Sequence, residues 1–276
     1  MKATMKTITK NKSFKIVIPA RYASSRLPGK PLRLIAGKPM IQHTYERALQ
    51  SQAEEVVIAT DDQRIADVVS QFTDNCIMTS AEHSSGTERL AEVLDLQNWA
   101  DNTIIVNVQG DEPLVSPDHI NLVADSLKSN AKAGMATLAT PINTIEEVFD
   151  SNIVKVVMDV NGNALYFSRA AIPWSRDSFT MTSIEQQKEQ QNIKTLSKES
   201  GWYRHIGMYA YRGTALQQYI NMQPCMLEKP ESLEQLRLLY NGIGIHVSIV
   251  HEQPGHGVDI EADLEKVEAM LRMQIS

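Results

Sequence analysis

Residues 16–31 read IVIPARYASSRLPGKP and join an apolar segment to a loop that carries three cationic side chains. Ile16, Val17 and Ile18 are β-branched, which favours a buried strand. The prolines and Gly29 in the rest of the stretch exclude regular structure. A loop at the carboxyl end of a buried strand is where open α/β sheets bind ligands. The stretch therefore predicts an α/β protein with a binding loop after its first strand.

The cations of this loop are Arg21, Arg26 and Lys30, with Ser24 and Ser25 between the two arginines. Positive side chains beside free backbone N–H groups suit a polyphosphate. The loop has neither the G-x-x-x-x-G-K-[ST] pattern nor the G-x-G-x-x-G pattern, so it predicts another kind of phosphate loop. A solvated basic loop is the alternative, although solvation alone does not call for the prolines and small residues.

The composition indicates a globular protein with a substantial core. The chain has 276 residues, 42% hydrophobic residues and a net charge of −6. The negative charge argues against a general nucleic-acid binder. Cys76 and Cys225 are too few and too far apart to indicate a zinc site or a disulfide framework. No apolar stretch approaches the ~20 residues of a membrane span, and we expect a cytoplasmic protein whose residues 1–13 form a disordered tail.

Strand-like and helical patterns alternate through the first half of the chain, which predicts βαβ units and a parallel sheet. The second half has longer strand-like segments and an Asn161-Gly162 turn, which predict an antiparallel section. We expect this section to cover approximately residues 135–211 of a single domain, 14–276. The polar run from Ser175 to Gly201 predicts a mobile surface excursion.

The individual elements follow from these patterns and from the turn residues between them. The predicted strands are 15–19, 55–60, 76–78, 103–108, 135–140, 154–160, 164–168, 205–211 and 243–250, and the predicted helices are 40–51, 63–71, 87–96, 117–128, 215–221, 232–240 and 261–273.

A second strand-like segment ends in a carboxylate. Residues 106–113 read VNVQGDEP, with Gly110 and Asp111 directly after the apolar part. Glycine allows the backbone to approach a ligand closely, and Mg²⁺ favours one or two carboxylates together with phosphates and waters. Asp111 is therefore a candidate metal ligand, and a turn aspartate after a strand is the alternative.

Two further segments place polar residues at predicted helix starts. Residues 254–264, PGHGVDIEADL, put Asp259 before the last helix, where it either caps the helix or supplies a second metal carboxylate. Asp263 falls within this helix, and we expect it to face solvent. Residues 84–89, SSGTER, put Ser85 and Gly86 where backbone and hydroxyl groups suit a base or a phosphate. An ordinary capping sequence is the alternative for this second segment.

These segments, together with four others, resemble in their order the motifs of the 3-deoxy-manno-octulosonate cytidylyltransferase family. The other four are ATDD (59–62), ALYFSRAAIPW (164–174), RHIGMYAYR (204–212) and LEQLR (233–237). The resemblance runs from about Phe14 to Met273. It implies a nucleotidyltransferase-like, Rossmann-like α/β fold with a mostly parallel sheet and an antiparallel sugar-binding and dimerisation subdomain.

The resemblance also implies an activity. The family transfers CMP from CTP to the 2-hydroxyl of 3-deoxy-D-manno-octulosonate (KDO), releases pyrophosphate and so supplies lipopolysaccharide inner-core synthesis. Mg²⁺ is the implied cofactor and a homodimer the implied assembly, with no nucleic-acid or membrane partner. An amino-substituted octulosonate or a nonulosonate such as sialic acid stays open as the acceptor, as does a nucleotide-sensing module without catalysis.

Residue roles follow from the resemblance position by position. The implied catalytic residues are Arg21, Lys30, Asp111 and Asp259, with Asp111 and Asp259 as the metal ligands; the implied CTP-binding residues are Ala20, Arg21, Ser24, Arg26, Lys30, Ser85, Gly86 and Gln109; the implied sugar-binding residues are Gln109, Arg169, His205, Glu234 and Gln235. No residue is identified as a general base.

The sugar-side residues each have a second interpretation. Arg169 could be a surface cation on a hairpin, and His205 could be a hydrogen-bonded strand histidine. Glu234 and Arg237 have the spacing of a helix-surface ion pair. His256 and Ile260, on either side of Asp259, depart from the usual family pattern, as does the long polar run, and these departures concern acceptor specificity more than the reaction.

Overall fold

The computed structural model describes residues 14–23, 26–83, 85–176, 179, 201–252, 255 and 257–275. Every predicted strand and helix is present in this part of the chain, with its ends within three residues of the prediction. The strands are β1 (Lys15–Ala20), β2 (Leu34–Ile35), β3 (Lys38–Pro39), β4 (Glu55–Thr60), β5 (Cys76–Met78), β6 (Ile104–Asn107), β7 (Ala133–Pro141), β8 (Lys155–Met158), β9 (Ala164–Ser168), β10 (Tyr203–Arg212) and β11 (Gly244–Ile249).

The helices follow the same pattern. They are α1 (Met40–Ala48), α2 (Gln63–Val69), α3 (Gly86–Leu96), α4 (Pro117–Ser129), α5 (Ile145–Phe149), α6 (Gly213–Ile220), α7 (Glu228–Glu231), α8 (Gln235–Tyr240) and α9 (Glu261–Ile275), with a 3₁₀ turn at Lys30–Leu32. The prediction that one helix begins at Ser232 was wrong. Ser232 has φ +52, a left-handed conformation that ends α7 and separates it from α8.

The contacts of the described residues divide the chain into two compact units. The first comprises the described residues up to Asn121 and from Gly255 onward, and the second those between Leu122 and Pro254. The single domain expected over residues 14–276 stays a prediction. The polar run from Ser175 to Gly201 and the tail 1–13 lie largely or wholly outside the described residues.

The first unit contains parallel strands in the order β6-β1-β4-β5, as the alternating pattern predicts. Ile16, Val17 and Ile18 of β1 are fully buried and pair with Val56, Val57 and Ile58 of β4. Such uninterrupted apolar runs are typical of parallel strands that are covered on both faces. The loops after β1 and β6, which carry the predicted cations and Asp111, therefore leave the sheet at the same edge.

The second unit contains the predicted antiparallel section. β10 pairs antiparallel with β7 and with β8, and β8 pairs antiparallel with β9 through the Asn161-Gly162 turn. Gly162 has φ +80, which explains the glycine at this turn. β11 joins the other edge of β7 in parallel. A mostly parallel α/β architecture with an antiparallel part is thus confirmed.

Among the described residues, no helix has the length and apolar character that crossing a membrane requires.

A buried arginine holds α3 against the sheet of the first unit. Arg89 is fully buried and donates a hydrogen bond of 2.9 Å to Asp61, directly after β4. A second hydrogen bond reaches Thr79, directly after β5. The start of α3, with Ser85 and Gly86, is therefore fixed relative to the ends of two strands.

We expect Arg89→Met to lower the free energy of unfolding by about 3 kcal/mol, because it leaves the Asp61 carboxylate without its buried cation. The matched control is Lys38→Met, which removes the cation of an exposed pair with Glu46 and should cost less than about 1 kcal/mol. Urea unfolding of both variants measures the difference. Equal losses of stability in the two variants would contradict the structural role given to Arg89.

Candidate active site

The first unit brings three of the predicted residues together around one ammonium group. Lys30 Nζ lies 2.6 Å from Asp111 Oδ2 and 3.0 Å from Asp259 Oδ1. Arg26 also reaches Asp259, with 3.1 Å between its guanidinium and Oδ1. Lys30 is only 9% exposed, whereas Asp259 is exposed. Asp111 and Asp259 are 81 and 229 positions away from Lys30 in the sequence, and the fold brings both to the same ammonium group.

The backbone explains why the two carboxylates meet. The Val258 amide donates a 2.9 Å hydrogen bond to the Asp111 carbonyl, which places Asp259 beside the segment after β6. A Cβ added to Gly255 would lie 2.4 Å from the Leu114 carbonyl oxygen, so no side chain fits there. Below these contacts an apolar cluster joins the loop to the segment before α9 and to α9 itself. It comprises Leu27, Ile35, Met40, Leu114, Val258, Leu264, Val267 and Leu271.

The loop after β1 is held in place at its tip. Gly29 has φ +66 and donates a 3.2 Å hydrogen bond to the Tyr22 carbonyl, which closes the loop immediately before Lys30. The Tyr22 ring packs beneath the Arg64 guanidinium, 3.4 Å from its centroid. Arg64 in turn binds Asp62, the N-cap of α2. A tyrosine and a glycine therefore set the position of the lysine.

The electrostatics favour a charged Lys30. Burial disfavours the ammonium ion, but hydrogen bonds and charge from Asp111 and Asp259 outweigh this and raise the pKa of Lys30. Lys30 therefore remains protonated throughout the physiological range.

The turn before α9 was partly misjudged from the sequence. We expected Asp263 to face solvent on the helix, but its carboxylate accepts hydrogen bonds from the Asp259 and Ile260 amides at 3.0 and 3.1 Å. Asp263 thus caps the turn, in a role that the sequence left open for Asp259. The Asp259 carboxylate is consequently available for Lys30 and Arg26.

Asp111 and Asp259 are suited to hold a divalent cation. Both carboxylates point at one position, and a cationic group, the Lys30 ammonium, already lies between them. The described residues contain no cluster of three or more histidine, cysteine or carboxylate side chains of the kind that would enclose a metal. Two carboxylates with substrate phosphates and waters are a usual Mg²⁺ ligand set. The donors present therefore fit the predicted ion.

Arg21 connects the loop to the start of α3. Its guanidinium donates to the carbonyl oxygens of His83 and Ser85, at 2.7 and 3.3 Å. Ser85 and Glu88 form a capping box, so the capping interpretation of this segment is correct. Capping uses the Ser85 side chain, and the predicted contacts of Ser85 and Gly86 with a base stay a prediction. Ser24 lies outside the described residues.

The segment after β6 approaches the end of β1 closely. A Cβ on Gly110 would lie 2.9 Å from the Pro19 carbonyl oxygen, so this glycine is needed for the contact of the segment with the end of β1. Ala20 is buried there, and Gln109 is half-buried. Their predicted contacts with the nucleotide are not tested by this geometry.

Two polar groups near this segment were missed by the sequence analysis. Asn107, at the end of β6, is 3% exposed and its Oδ1 has no hydrogen-bond partner among the described residues. Its amide nitrogen lies 3.9 Å from where a Gly86 Cβ would be. Burial, followed by the charge of Asp111, raises the pKa of Glu112 to about 8. The VNVQGDEP motif contains both residues, but an apolar strand pattern gives no reason to single out its asparagine.

Arg169, in the second unit, is held by backbone atoms. Its Nε donates to the Glu231 carbonyl at 2.7 Å and Nη1 to the Ser151 carbonyl at 3.0 Å. The Arg169 carbonyl accepts from Lys155 Nζ at 2.7 Å, and Lys155 is fully buried. Arg169 is therefore fixed on the hairpin rather than free in solvent, and its predicted sugar contact stays a prediction.

His205 is the most constrained of the predicted sugar-binding residues. Its Nε2 lies 3.0 Å from Thr137 Oγ1, and its ring meets the Phe167 ring edge-on with 4.9 Å between centroids. His205 as a whole residue is half-buried, and the protein around its ring lowers the pKa of His205 to about 3 by burial. His205 is thus a neutral imidazole at physiological pH.

Glu234 and Gln235 lie at the start of α8. Glu234 is exposed, and its charge is among the effects that raise the pKa of Tyr209, after burial and Tyr211. Gln235 is 5% exposed, and its Nε2 has no partner among the described residues. The predicted contacts of Glu234 and Gln235 with a sugar stay predictions. The Arg237 guanidinium donates hydrogen bonds of 2.9 and 2.6 Å to the Glu228 carboxylate. The carboxylate that these two bonds reach is therefore that of Glu228 and not that of Glu234.

Comparisons with known proteins show which family the chain resembles over most of its length. A family model described as cytidylyltransferase matches residues 15–249. A 3-deoxy-manno-octulosonate cytidylyltransferase of Thioalkalivibrio sulfidiphilus (strain HL-EbGR7) is 51% identical over 263 residues, 94% of this chain and 99% of the relative. One from Vibrio vulnificus (strain CMCP6) is 53% identical over 259 residues, 94% of this chain and 98% of the relative.

Solved structures give the same result. The structure of CMP:2-keto-3-deoxy-manno-octonic acid synthetase complexed with CTP matches with a TM-score of 0.82 and 41% identity, over 95% of this chain and 99% of the other. A cytidylyltransferase from Leptospira borgpetersenii serovar Hardjo-bovis (strain JB197) matches with a TM-score of 0.58 and 15% identity, over 95% and 87% of the two chains. The second match shows a shared fold alone.

We expect Lys30→Met to lower the free energy of unfolding by about 1–2 kcal/mol, because Asp111 and Asp259 then face each other without their shared cation. The loss is smaller than for a deeply buried pair, since both carboxylates are partly hydrated. In Lys30→Met/Asp111→Asn the repulsion is removed, so the double variant should be more stable than Lys30→Met. Urea unfolding tests this order, and a double variant that is the less stable of the two would contradict it.

The lowered pKa of His205 predicts how the free energy of unfolding depends on pH. Because the pKa of His205 in the folded chain is about 3, below the ~6.5 of an unfolded histidine, its contribution to stability is complete above pH 6.5 and decreases as the pH falls towards 3. The loss is at most about 1.4 kcal/mol for each pH unit. His205→Asn should flatten the pH dependence of the unfolding free energy between pH 6.5 and 4.5. An unchanged slope in this variant would contradict the neutral, buried imidazole.

Proposed function

Since the chain belongs to the 3-deoxy-manno-octulosonate cytidylyltransferase family, we propose that it transfers CMP from CTP to the 2-hydroxyl of KDO and releases pyrophosphate. The observation that carries this proposal is the agreement over nearly the whole chain with relatives of that name, at 51% and 53% identity. The convergence of Lys30, Asp111 and Asp259 supports it, because phosphoryl chemistry depends on charge neutralisation and alignment.

The cationic loop would bind the triphosphate of CTP. Two of the three Lys30 ammonium hydrogens point to Asp111 and Asp259, which leaves one donor for a phosphate oxygen. Arg26 is exposed beside Asp259, and Arg21 lies at the other end of the loop. Together these three cations would oppose the negative charge that collects on the departing pyrophosphate.

Asp111 and Asp259 would hold Mg²⁺, which when bound supplies positive charge to the phosphates and orients them. The protein's own contribution is to fix the two carboxylates. The Val258–Asp111 backbone hydrogen bond and the Asp263 cap fix their positions before any ligand arrives. Before a metal ion binds, the positive charge of Lys30 offsets the repulsion between the two carboxylates.

In the transfer itself, the 2-hydroxyl oxygen of the sugar forms a bond to the α-phosphorus of CTP. The bond from that phosphorus to the bridging oxygen of the β-phosphate breaks, and pyrophosphate leaves with the electron pair. The hydroxyl proton passes to solvent, since none of the residues identified above has the role of a base. Alignment of the attacking oxygen with the leaving group is the main requirement.

Family membership also supports a cytoplasmic homodimer whose product enters lipopolysaccharide inner-core synthesis. Light scattering of the purified chain at several concentrations tests the dimer. A monomer at all concentrations would contradict this part of the proposal.

An acceptor panel tests the reaction. The purified chain is mixed with CTP and Mg²⁺, and pyrophosphate release is measured with KDO, an amino-substituted octulosonate, a sialic acid or no acceptor. We expect the highest kcat/KM with KDO and no release without an acceptor. A higher kcat/KM with either other sugar would move the assignment to that acceptor. If the chain binds CTP but releases no pyrophosphate with any of the sugars, the result would favour a nucleotide sensor without catalysis.

We expect Asp111→Asn and Asp259→Asn each to lower kcat on the order of 100-fold or more while the chain stays folded, because each removes an anionic oxygen from the cation site. Asp74→Asn is the matched control, since Asp74 is an exposed aspartate of the same unit that lies outside the site. Circular dichroism and thermal unfolding check the fold of all three. Near-normal kcat in either site variant would refute the metal-ligand role of that residue.

A further inference from the structure

Thr137 occupies an unusual position in the antiparallel section of the second unit. It lies in the middle of β7, is completely buried, and faces a bulge in β10. Leu138 pairs with Ile206 and Thr137 pairs with Tyr209, so two residues of β10 lie between adjacent rungs of the ladder. A bulge of this kind re-aims the side chains beside it.

The Thr137 hydroxyl holds this bulge together. Oγ1 lies 3.0 Å from the Ile206 carbonyl oxygen and 2.8 Å from the Met208 carbonyl oxygen. The same oxygen lies 3.0 Å from His205 Nε2. Three polar atoms therefore surround a group that has one hydrogen and two lone pairs.

The number of hydrogens decides which atom donates. Both carbonyl oxygens are acceptors only, so the single hydroxyl hydrogen of Thr137 must be directed to their side and shared between them. If it pointed to His205 instead, both carbonyl oxygens would face the Thr137 oxygen at 2.8 and 3.0 Å with no proton between them. The Thr137 oxygen is then an acceptor toward His205. Nε2 must accordingly be the ring nitrogen that carries the proton.

The ring of His205 is fixed in orientation as well. Phe167 meets it edge-on at 4.9 Å and Tyr209 lies 5.4 Å away at a tilt, both measured between ring centroids. Burial lowers the pKa of the imidazole, which keeps it neutral. A neutral ring with its proton on Nε2 has a lone pair on Nδ1, which can only accept a hydrogen bond.

We propose that Thr137 is a positioning residue, whose hydroxyl fixes His205 in the tautomer protonated on Nε2 so that Nδ1 accepts a hydrogen bond from a hydroxyl of the acceptor sugar. This inference rests on the proposed function for the identity of the sugar. It assigns His205 to a hydroxyl rather than to the sugar carboxylate, because an ionised carboxylate has no hydrogen to donate.

The tautomer can be measured without any substrate. In protein labelled with ¹⁵N-histidine at pH 7.5, long-range ¹H–¹⁵N spectra distinguish a protonated ring nitrogen from one that carries a lone pair, and His205→Asn assigns the signals. We expect wild-type His205 to be protonated on Nε2 alone. Thr137→Val, which keeps the shape and removes the hydroxyl, should give a mixture of tautomers, whereas Thr137→Ser should match the wild type.

Three results would overturn the proposal in this experiment. They are a wild-type His205 protonated on Nδ1, a charged ring at pH 7.5, and a Thr137→Val spectrum identical to that of the wild type. If Thr137→Val does not fold, Thr137→Cys replaces it, since a thiol has a similar size and is a weaker donor. The wild-type spectrum tests the tautomer in either case.

Steady-state kinetics test whether the tautomer of His205 contributes to binding of the sugar. We expect Thr137→Val to raise the KM for KDO about tenfold, the usual effect of losing one hydrogen bond to a ligand, with the KM for CTP unchanged. Thr137→Ser should stay within about twofold of the wild type. In a His205→Ala background, Thr137→Val should cause no further rise, because the residue through which it acts is gone.

Other kinetic outcomes would overturn the positioning role. Equal KM values for Thr137→Val and Thr137→Ser would do so, as would a further rise in the His205→Ala background, which would indicate a general structural effect. Failure of the proposed function is distinguishable from this, because no product with KDO in the wild type refutes the reaction while the spectra still decide the tautomer.

Discussion

The ion pairs of Lys30 with Asp111 and Asp259 are the interaction on which the candidate site depends. Two neighbouring carboxylates repel each other when no cation lies between them. In this chain the Lys30 ammonium lies between them at 2.6 and 3.0 Å and is nearly buried. The two carboxylates are thus held together before a ligand arrives, and the group that holds them is also the proposed phosphate binder.

Several local constraints serve this arrangement. Gly29 and Tyr22 close the loop so that Lys30 points to the carboxylates, and Gly255 and Val258 lay a second segment against the backbone after β6. Arg89 fixes the start of α3, and Arg21 ties the loop to the same place. Backbone contacts between loops, rather than long side chains alone, therefore set the geometry, which suits chemistry that depends on alignment.

Much of this fold could be predicted from sequence because its elements are strongly patterned. The buried β-branched run of β1 and the Asn161-Gly162 turn each have one dominant interpretation. The boundary at Ser232 could not be predicted, since a left-handed serine has no sequence signal. The roles of Asp259 and Asp263 were also not separable, because either aspartate can cap the same turn until tertiary contacts are known. Asn107 and Thr137 looked like ordinary strand residues, and only their buried surroundings reveal unusual hydrogen bonding.

We propose that Asp111 and Asp259 form a cation site that acts together with bound CTP. Calorimetric titration with CTP, in Mg²⁺ and in EDTA, measures this cooperation when the wild type is compared with Asp111→Asn/Asp259→Asn. We expect Mg²⁺ to strengthen CTP binding at least about tenfold in the wild type, or ~1.4 kcal/mol, and this gain to disappear in the double variant. An equal effect of Mg²⁺ on both proteins would contradict it.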